Sequence, residues 1–141
     1  MSGSPEVAAA IGRVPFFSSL NDKQRKTMAS VGTVRSYAAG AKIVEEGTTG
    51  VGFYLVLGGK AEVRKGSKVL ATLSKLEFFG EMALIDREPR SADVVAAEPT
   101  TCFVLSVLQF NNLVRDDPKI IMSMLVEVVK RLRAAQSTTV S

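Results

Sequence analysis

Residues 78–93 hold the side chains best suited to chemistry, Phe78-Phe79-Gly80-Glu81-Met82-Ala83-Leu84-Ile85-Asp86-Arg87-Glu88-Pro89-Arg90-Ser91-Ala92-Asp93. Gly80 permits a tight backbone, and Glu81 to Leu84 are good helix formers, so the segment predicts one helical turn whose first amides have no intrahelical acceptor. Free N–H groups and a helix dipole aimed at one place make an anion site. Arg90, its approach fixed by Pro89, brings a planar, always charged guanidinium that can grip two phosphate oxygens at once. Glu81 is no second ligand for an anion, because like charges repel; its fitting partner is a hydroxyl donor. A structural reading competes with this one: Arg90 paired at the surface with Glu81 or Glu88, and Ser91 filling or capping a turn.

Other chemistries are excluded by what the 141 residues lack. There is no histidine, hence no Ser-His-Asp or Cys-His pairing, no His-ligated zinc and no metal-dependent β-barrel enzyme of the usual kind. The single Cys102 allows neither an internal disulfide nor a CxxC metal site; set in a strand, it reads as a small buried hydrophobe in a reducing cytoplasm. Gly50-Val51-Gly52 is not a dinucleotide fingerprint, since Leu55 stands where a third glycine belongs and no helix follows. The net charge of +4 is mild and its cations are scattered, the densest runs being Lys23-Gln24-Arg25-Lys26 and Lys130-Arg131-Leu132-Arg133, which read as solvated helix faces. Neither a signal peptide nor a membrane span is expected.

The elements that must hold residues 78–93 follow from periodicity. Ser4-Pro5-Glu6 starts a short helix to about Arg13, and Asn21 with Gln24 opens a second that carries Met28 and Val31 and ends at Gly32. From Thr33 to Ser106 the period becomes that of strands: Thr33–Tyr37, Lys42–Glu45, Phe53–Leu57, Ala61–Lys65, Val69–Leu73, Asp93–Ala97 and Thr101–Val107, separated by glycine turns. Ser106 with Gln109 then opens a helix holding Phe110 and Leu113. Asp117-Pro118 starts a last one to about Ala135, whose Ile121, Leu125, Val128 and Leu132 predict packing against the strands or, as the alternative, a dimer contact. The expected fold is mainly β with flanking helices: an antiparallel, jelly-roll-like β-roll between N-terminal and C-terminal helices. It forms a single domain over 1–136, with 137–141 a disordered tail.

Phe-Gly-Glu-x-Ala-Leu followed by Pro-Arg-Ser-Ala resembles the phosphate-binding cassette of the cyclic nucleotide-binding domain family, which includes catabolite activator, protein kinase A regulatory and cyclic nucleotide-gated channel proteins. Val14–Leu20, Glu46-Gly47 and Phe53–Gly59 extend the resemblance to about residues 10–135, the helices after Ser106 corresponding to the family's B and C helices. The resemblance implies that Arg90 pairs with the exocyclic oxygens of a cyclic phosphate and that Glu81 accepts the ribose 2′-hydroxyl proton. It further implies that amides near Gly80, Met82 and Ala83, with the Ser91 hydroxyl and the Ala92 amide, complete the cradle, and that Leu73, Phe79 and Met82 form apolar walls.

The function so implied is a non-catalytic sensor that binds cyclic AMP, with cyclic GMP as the alternative, needs no cofactor or metal, and closes its last helix as a lid through Leu125 and Val129. Partners expected are the nucleotide and an unidentified effector domain or protein; a homodimer through the last helix is a further expectation, while direct nucleic-acid binding and membrane contact are not expected. A degenerate roll used for protein contacts, or the sensor piece of a larger regulator, are the competing readings. Two departures stand out: Val51 sits where the family often has an acid, and Asp93, where it often has Thr or Ser, adds a negative charge near an anion site unless its side chain points away.

Overall fold

The computed structural model describes residues 4–49 and 51–140, with side chains described as far as Gln136. Helix α1 (Pro5–Arg13) is capped by the Ser4 hydroxyl, which accepts from the Val7 amide, and α2 (Asp22–Val31) by a reciprocal Asn21–Gln24 box. Between them Pro15–Phe17 makes a 3-10 turn, inside the Val14–Leu20 stretch that the resemblance reads as a helical entry. Met28 and Ala29 form the buried side of α2, whereas Val31, expected on that side, is exposed.

Eight strands follow in two four-stranded antiparallel sheets. One sheet holds β1 (Thr33–Tyr37), β8 (Thr100–Ser106), β3 (Gly52–Gly58) and β6 (Phe78–Phe79) in that order; the other holds β2 (Lys42–Val44), β7 (Asp93–Ala96), β4 (Ala61–Lys65) and β5 (Lys68–Leu73). This is the antiparallel β-roll that the strand spacing predicts. Period-two alternation divides the core. Phe53, Leu55, Phe103 and Leu105 face the helices, in one cluster with Ile11, Phe17, Met28, Phe110 and Met124. Tyr54, Val56, Cys102 and Val104, their neighbours along β3 and β8, face the roll interior with Val94 and Ala96 of β7. Strands β3 and β8 are therefore buried on both sides, as their unbroken apolar runs require.

Helix α3 is one turn (Ala83–Asp86), displaced by two residues from the expected Glu81–Leu84. Helix α4 (Val107–Asp116) is opened by the expected Ser106–Gln109 box. Asp117 ties the last helix, α5 (Lys119–Val140), to α2: one carboxylate oxygen accepts from the Lys119 amide at 3.2 Å and the other from Gln24 Nε2 at 3.2 Å. Helix α5 rests on the Pro15–Phe17 turn and buries Ile120 and Met124. The predicted seam Ile121-Leu125-Val128-Leu132 is instead exposed. A helix apolar on most of its circumference can turn either face inward, and contact with the Pro15–Phe17 turn selects the face of Ile120 and Met124. The backbone of α5 is helical to Val140, past the expected end at Ala135; Ser141 and the side chains of 137–140, where the tail was expected, lie outside the described residues.

Candidate functional site

Strand β6 pairs with β3 so that Phe79 stands opposite Tyr54 and Phe78 opposite Leu55. Phe79 thus enters the roll interior, where its ring stacks parallel on Tyr54 with centroids 4.7 Å apart, while Phe78 faces the helices. The stack fixes where β6 ends, and Gly80 follows with φ +84°, a conformation that side chains disfavour. Space makes the same demand: a Cβ on Gly80 would fall 2.4 Å from the Gly52 carbonyl oxygen and 2.6 Å from Arg90 Nη1.

Arg90 is anchored through its backbone, donating its amide to the Thr48 carbonyl at 2.7 Å and accepting from the Gly47 amide at 2.9 Å. Its guanidinium turns inward over the Tyr54 ring, 5.9 Å from the centroid, and Nη2 donates to the Gly52 carbonyl at 2.5 Å. It pairs with neither Glu81 nor Glu88 among the described residues. Its Nε–H is buried and has no acceptor among the described residues. A buried donor without a partner costs roughly 1–3 kcal/mol. Burial pulls the guanidinium below its ordinary pKa, while Tyr54 and the Glu81 carboxylate favour its charge. Burial likewise pushes the Tyr54 hydroxyl up, which keeps it neutral. The arrangement is a partly desolvated cation with one N–H to which an anion could supply an acceptor.

Beyond Glu81 lies a cavity of about 420 Å³ between α3, the 3-10 turn and α5. Pro15, Phe16, Phe78, Met82, Ile85 and Val128 make it largely apolar; Glu81, Asp86 and Arg131 are its charged members. The recess lies on the helix side of β6, where Phe78 points, whereas the Arg90 guanidinium lies over Tyr54 in the roll interior.

The predicted site residues separate into groups. Gly80, Glu81 and Arg90 converge, while Leu73 and Phe79 are half-buried together at the roll interior. Met82 is exposed at the cavity rim; Ala83 and Ala92 are buried, and Ser91 is exposed. The Ala83 amide donates to the Gly80 carbonyl at 3.2 Å, closing the turn that precedes α3. Leu125 and Val129 are exposed, and Val128 and Arg131 are the α5 residues that line the cavity. Sequence reasoning passed over Tyr54 and Gly52, whose roles arise from strand register, and placed Arg131 on a solvated face. Its spacing of three from Val128 was the available signal.

Asp93 points away from the guanidinium. Its carboxylate accepts from the Glu46 amide at 2.7 Å and lies 3.5 Å from Lys42 Nζ, and these two contacts hold its pKa below the ordinary carboxylate value, the amide more than the lysine. At the other departure, Val51 carries no charge to the arginine, and the neighbouring Gly52 carbonyl supplies the acceptor.

The family model described as "Cyclic nucleotide-binding domain" matches residues 34–117. Among curated proteins, a cGMP-dependent protein kinase from Eimeria tenella is 39% identical over 92 residues, 65% of this chain and 9% of the kinase. A cAMP-dependent protein kinase regulatory subunit from Mycosarcoma maydis is 36% identical over 91 residues, 62% of this chain and 17% of that protein. The chain thus spans less than a fifth of the length of either. Among solved structures, the N-terminal domain of a transcriptional regulator from Streptomyces coelicolor A3(2) superposes with a TM-score of 0.83 at 26% identity, covering 91% of this chain and 95% of that one.

Proposed function

Since the chain belongs to the cyclic nucleotide-binding domain family, we propose that it is the ligand-sensing part of a cytoplasmic regulator that captures a cyclic nucleotide and answers with a movement of α5. The buried, acceptorless Nε–H of Arg90 carries this reading. A cyclic phosphate diester bears one negative charge, so a single desolvated arginine neutralises it, and an exocyclic oxygen gives the idle N–H its acceptor. Glu81, the adjacent carboxylate, takes the ribose 2′-hydroxyl as hydrogen-bond donor, and the Ser91 hydroxyl and the amides around Gly80, Met82 and Ala92 complete the cradle. Leu73, Phe79 and Met82 supply apolar contact.

The role is regulatory and not catalytic. Ligand binding closes α5 over the cassette through Val128 on its cavity face, whereas Leu125 and Val129, expected as the lid, are exposed. Closure is a switch only if the nucleotide prefers the closed state; shifting a 1:99 population to 99:1 takes about 5.5 kcal/mol of differential affinity. The effector is a separate domain or protein. A roll kept only for protein contacts would have no use for a desolvated arginine beside a glutamate.

The outward face of α5 favours a second association. Met122, Leu125, Val129 and Leu132 are all exposed at spacings of three, four and three, the seam by which two helices pair, so a homodimer through α5 is part of the proposal. Calorimetric titration with cyclic AMP and cyclic GMP tests the central reading: a saturable heat is expected with at least one, and no heat with either at millimolar concentration would refute it.

A further inference from the structure

The charge of the chain is unevenly placed. Residues 60–75, the β4–β5 hairpin and the turn after it, hold five of the 18 lysines and arginines but one of the 14 acids, so their excess equals the net charge of +4 of the whole chain and the remainder balances. A concentration of one sign sets up a local field. Arg64 spends its charge on Glu62. Lys65 and Lys68 do not: they stand directly opposite each other at the end of the β4–β5 ladder, both exposed, and neither is in an ion pair among the described residues. Like charges facing each other across two strands destabilise a hairpin, so folding alone does not account for the pair.

Strand register places the two lysines. Ala61 and Val63 turn into the roll interior, and with a period of two Lys65 follows them onto that face. The bulge of the hairpin lies on β5, where Leu70 is the unpaired residue between Val69 and Ala71, so β4 keeps its alternation up to Lys65. On the neighbouring strand β7, Val94 and Ala96 face the same interior, and Val63 pairs with Val94 and Arg64 with Asp93. One step further along this ladder Lys65 comes level with Ala92, two residues from Arg90. The lysine pair thus stands on the inner face of its sheet, at the end of the roll that holds the cassette arginine.

From this register we infer that Lys65 and Lys68 capture the anionic nucleotide at the mouth of the roll, ahead of its transfer to Arg90. The inference rests on the proposed reading, in which a cyclic phosphate comes to Arg90. The Arg90 guanidinium is drawn inward over Tyr54, whereas two exposed ammonium groups meet a diffusing anion first. Cations at a solvated rim speed association without lengthening the life of the complex, because their own contacts stay in water. Lys65 and Lys68 act on the rate of arrival, and Arg90 acts on retention.

The test is stopped-flow association of cyclic AMP and cyclic GMP labelled at C8 with a nitrobenzofurazan group. It compares wild type, the double variant Lys65→Gln with Lys68→Gln, and a control, Lys23→Gln with Arg115→Gln, that removes the same charge from α2 and α4. At about 0.01 M salt, where charges act over about 30 Å, the hairpin variant should associate at least threefold more slowly than wild type. At about 1 M salt, where that range is about 3 Å, the two rates should converge. Dissociation should stay within about twofold of wild type, and Tm should equal or exceed it, since the facing charges are gone. Equal association rates at low salt, a slowing matched by the control, or a loss confined to dissociation would overturn the role of the lysines while leaving the sensor reading intact. Failure of wild type to bind either nucleotide would overturn both.

Discussion

Arg90 shows at the scale of single residues why the cassette sequence is informative. Glycine, glutamate and arginine at these spacings are unusual residues for an interrupted sheet, so the sequence already marked them as candidates. Tyr54 was not legible, because an aromatic in a strand has no mark that distinguishes a core ring from one that seats a guanidinium; the β3–β6 register makes the difference. Gly80→Ala should move the arginine without touching it, since the new methyl would claim space held by Nη1 and by the Gly52 carbonyl. Nucleotide affinity should fall at least tenfold on titration with the circular dichroism of the roll unchanged, and wild-type affinity would contradict the geometry. Asp93 gives a pH signature. Its folded pKa is depressed, so its contribution to stability is present above its unfolded value of about 4 and is lost as pH falls through the folded value. Thermal unfolding of Asp93→Asn should therefore show a shallower loss of Tm below about pH 4 than wild type; parallel acid limbs would contradict this.

Elements were legible in proportion to how much of their information is local. Strands β1 and β4 have the limits that alternation and glycine turns predict, and the Ser4, Asn21 and Ser106 caps open α1, α2 and α4 where their side chains allow. Strand β6 was missed because two residues carry no measurable period. The shift of α3 follows from the Gly80 carbonyl, which takes the Ala83 amide and delays the helix. Helix α5 is the instructive case: its apolar residues fit a seam through Ile121 and Leu125 or one through Ile120 and Met124, and only contact with the 3-10 turn decides between them. The outward seam gives this scale its own prediction. Wild type should sediment as a dimer at tens of micromolar, and Leu125→Glu with Val129→Glu should sediment as a monomer with its Tm within a few degrees of wild type. A monomeric wild type would contradict the dimer.

For the whole molecule, one sheet serves two cores. Strands β3 and β8 show one face to the helices and the other to the roll interior, so anything that shifts Tyr54, Phe79 or Gly80 inside the roll is felt through the same strands by Phe53, Leu105 and the helices behind them. The fold class was legible because the run of short strands is framed by capped helices; the meeting of α5 with the cassette was not, because it joins residues about fifty positions apart. Among the described residues no helix is long and apolar enough to cross a membrane. What unites these observations is a half-buried cation proposed as the ligand's partner, and the most direct test is to remove it. Titration of wild type and Arg90→Ala with cyclic AMP and cyclic GMP, run beside thermal unfolding, should show affinity weakened by about 2–5 kcal/mol, the range for truncating one partner of a buried charge pair. Stability should change by no more than about 1 kcal/mol, because the variant loses one hydrogen bond together with one unsatisfied donor. Equal affinity in the two proteins would contradict the account.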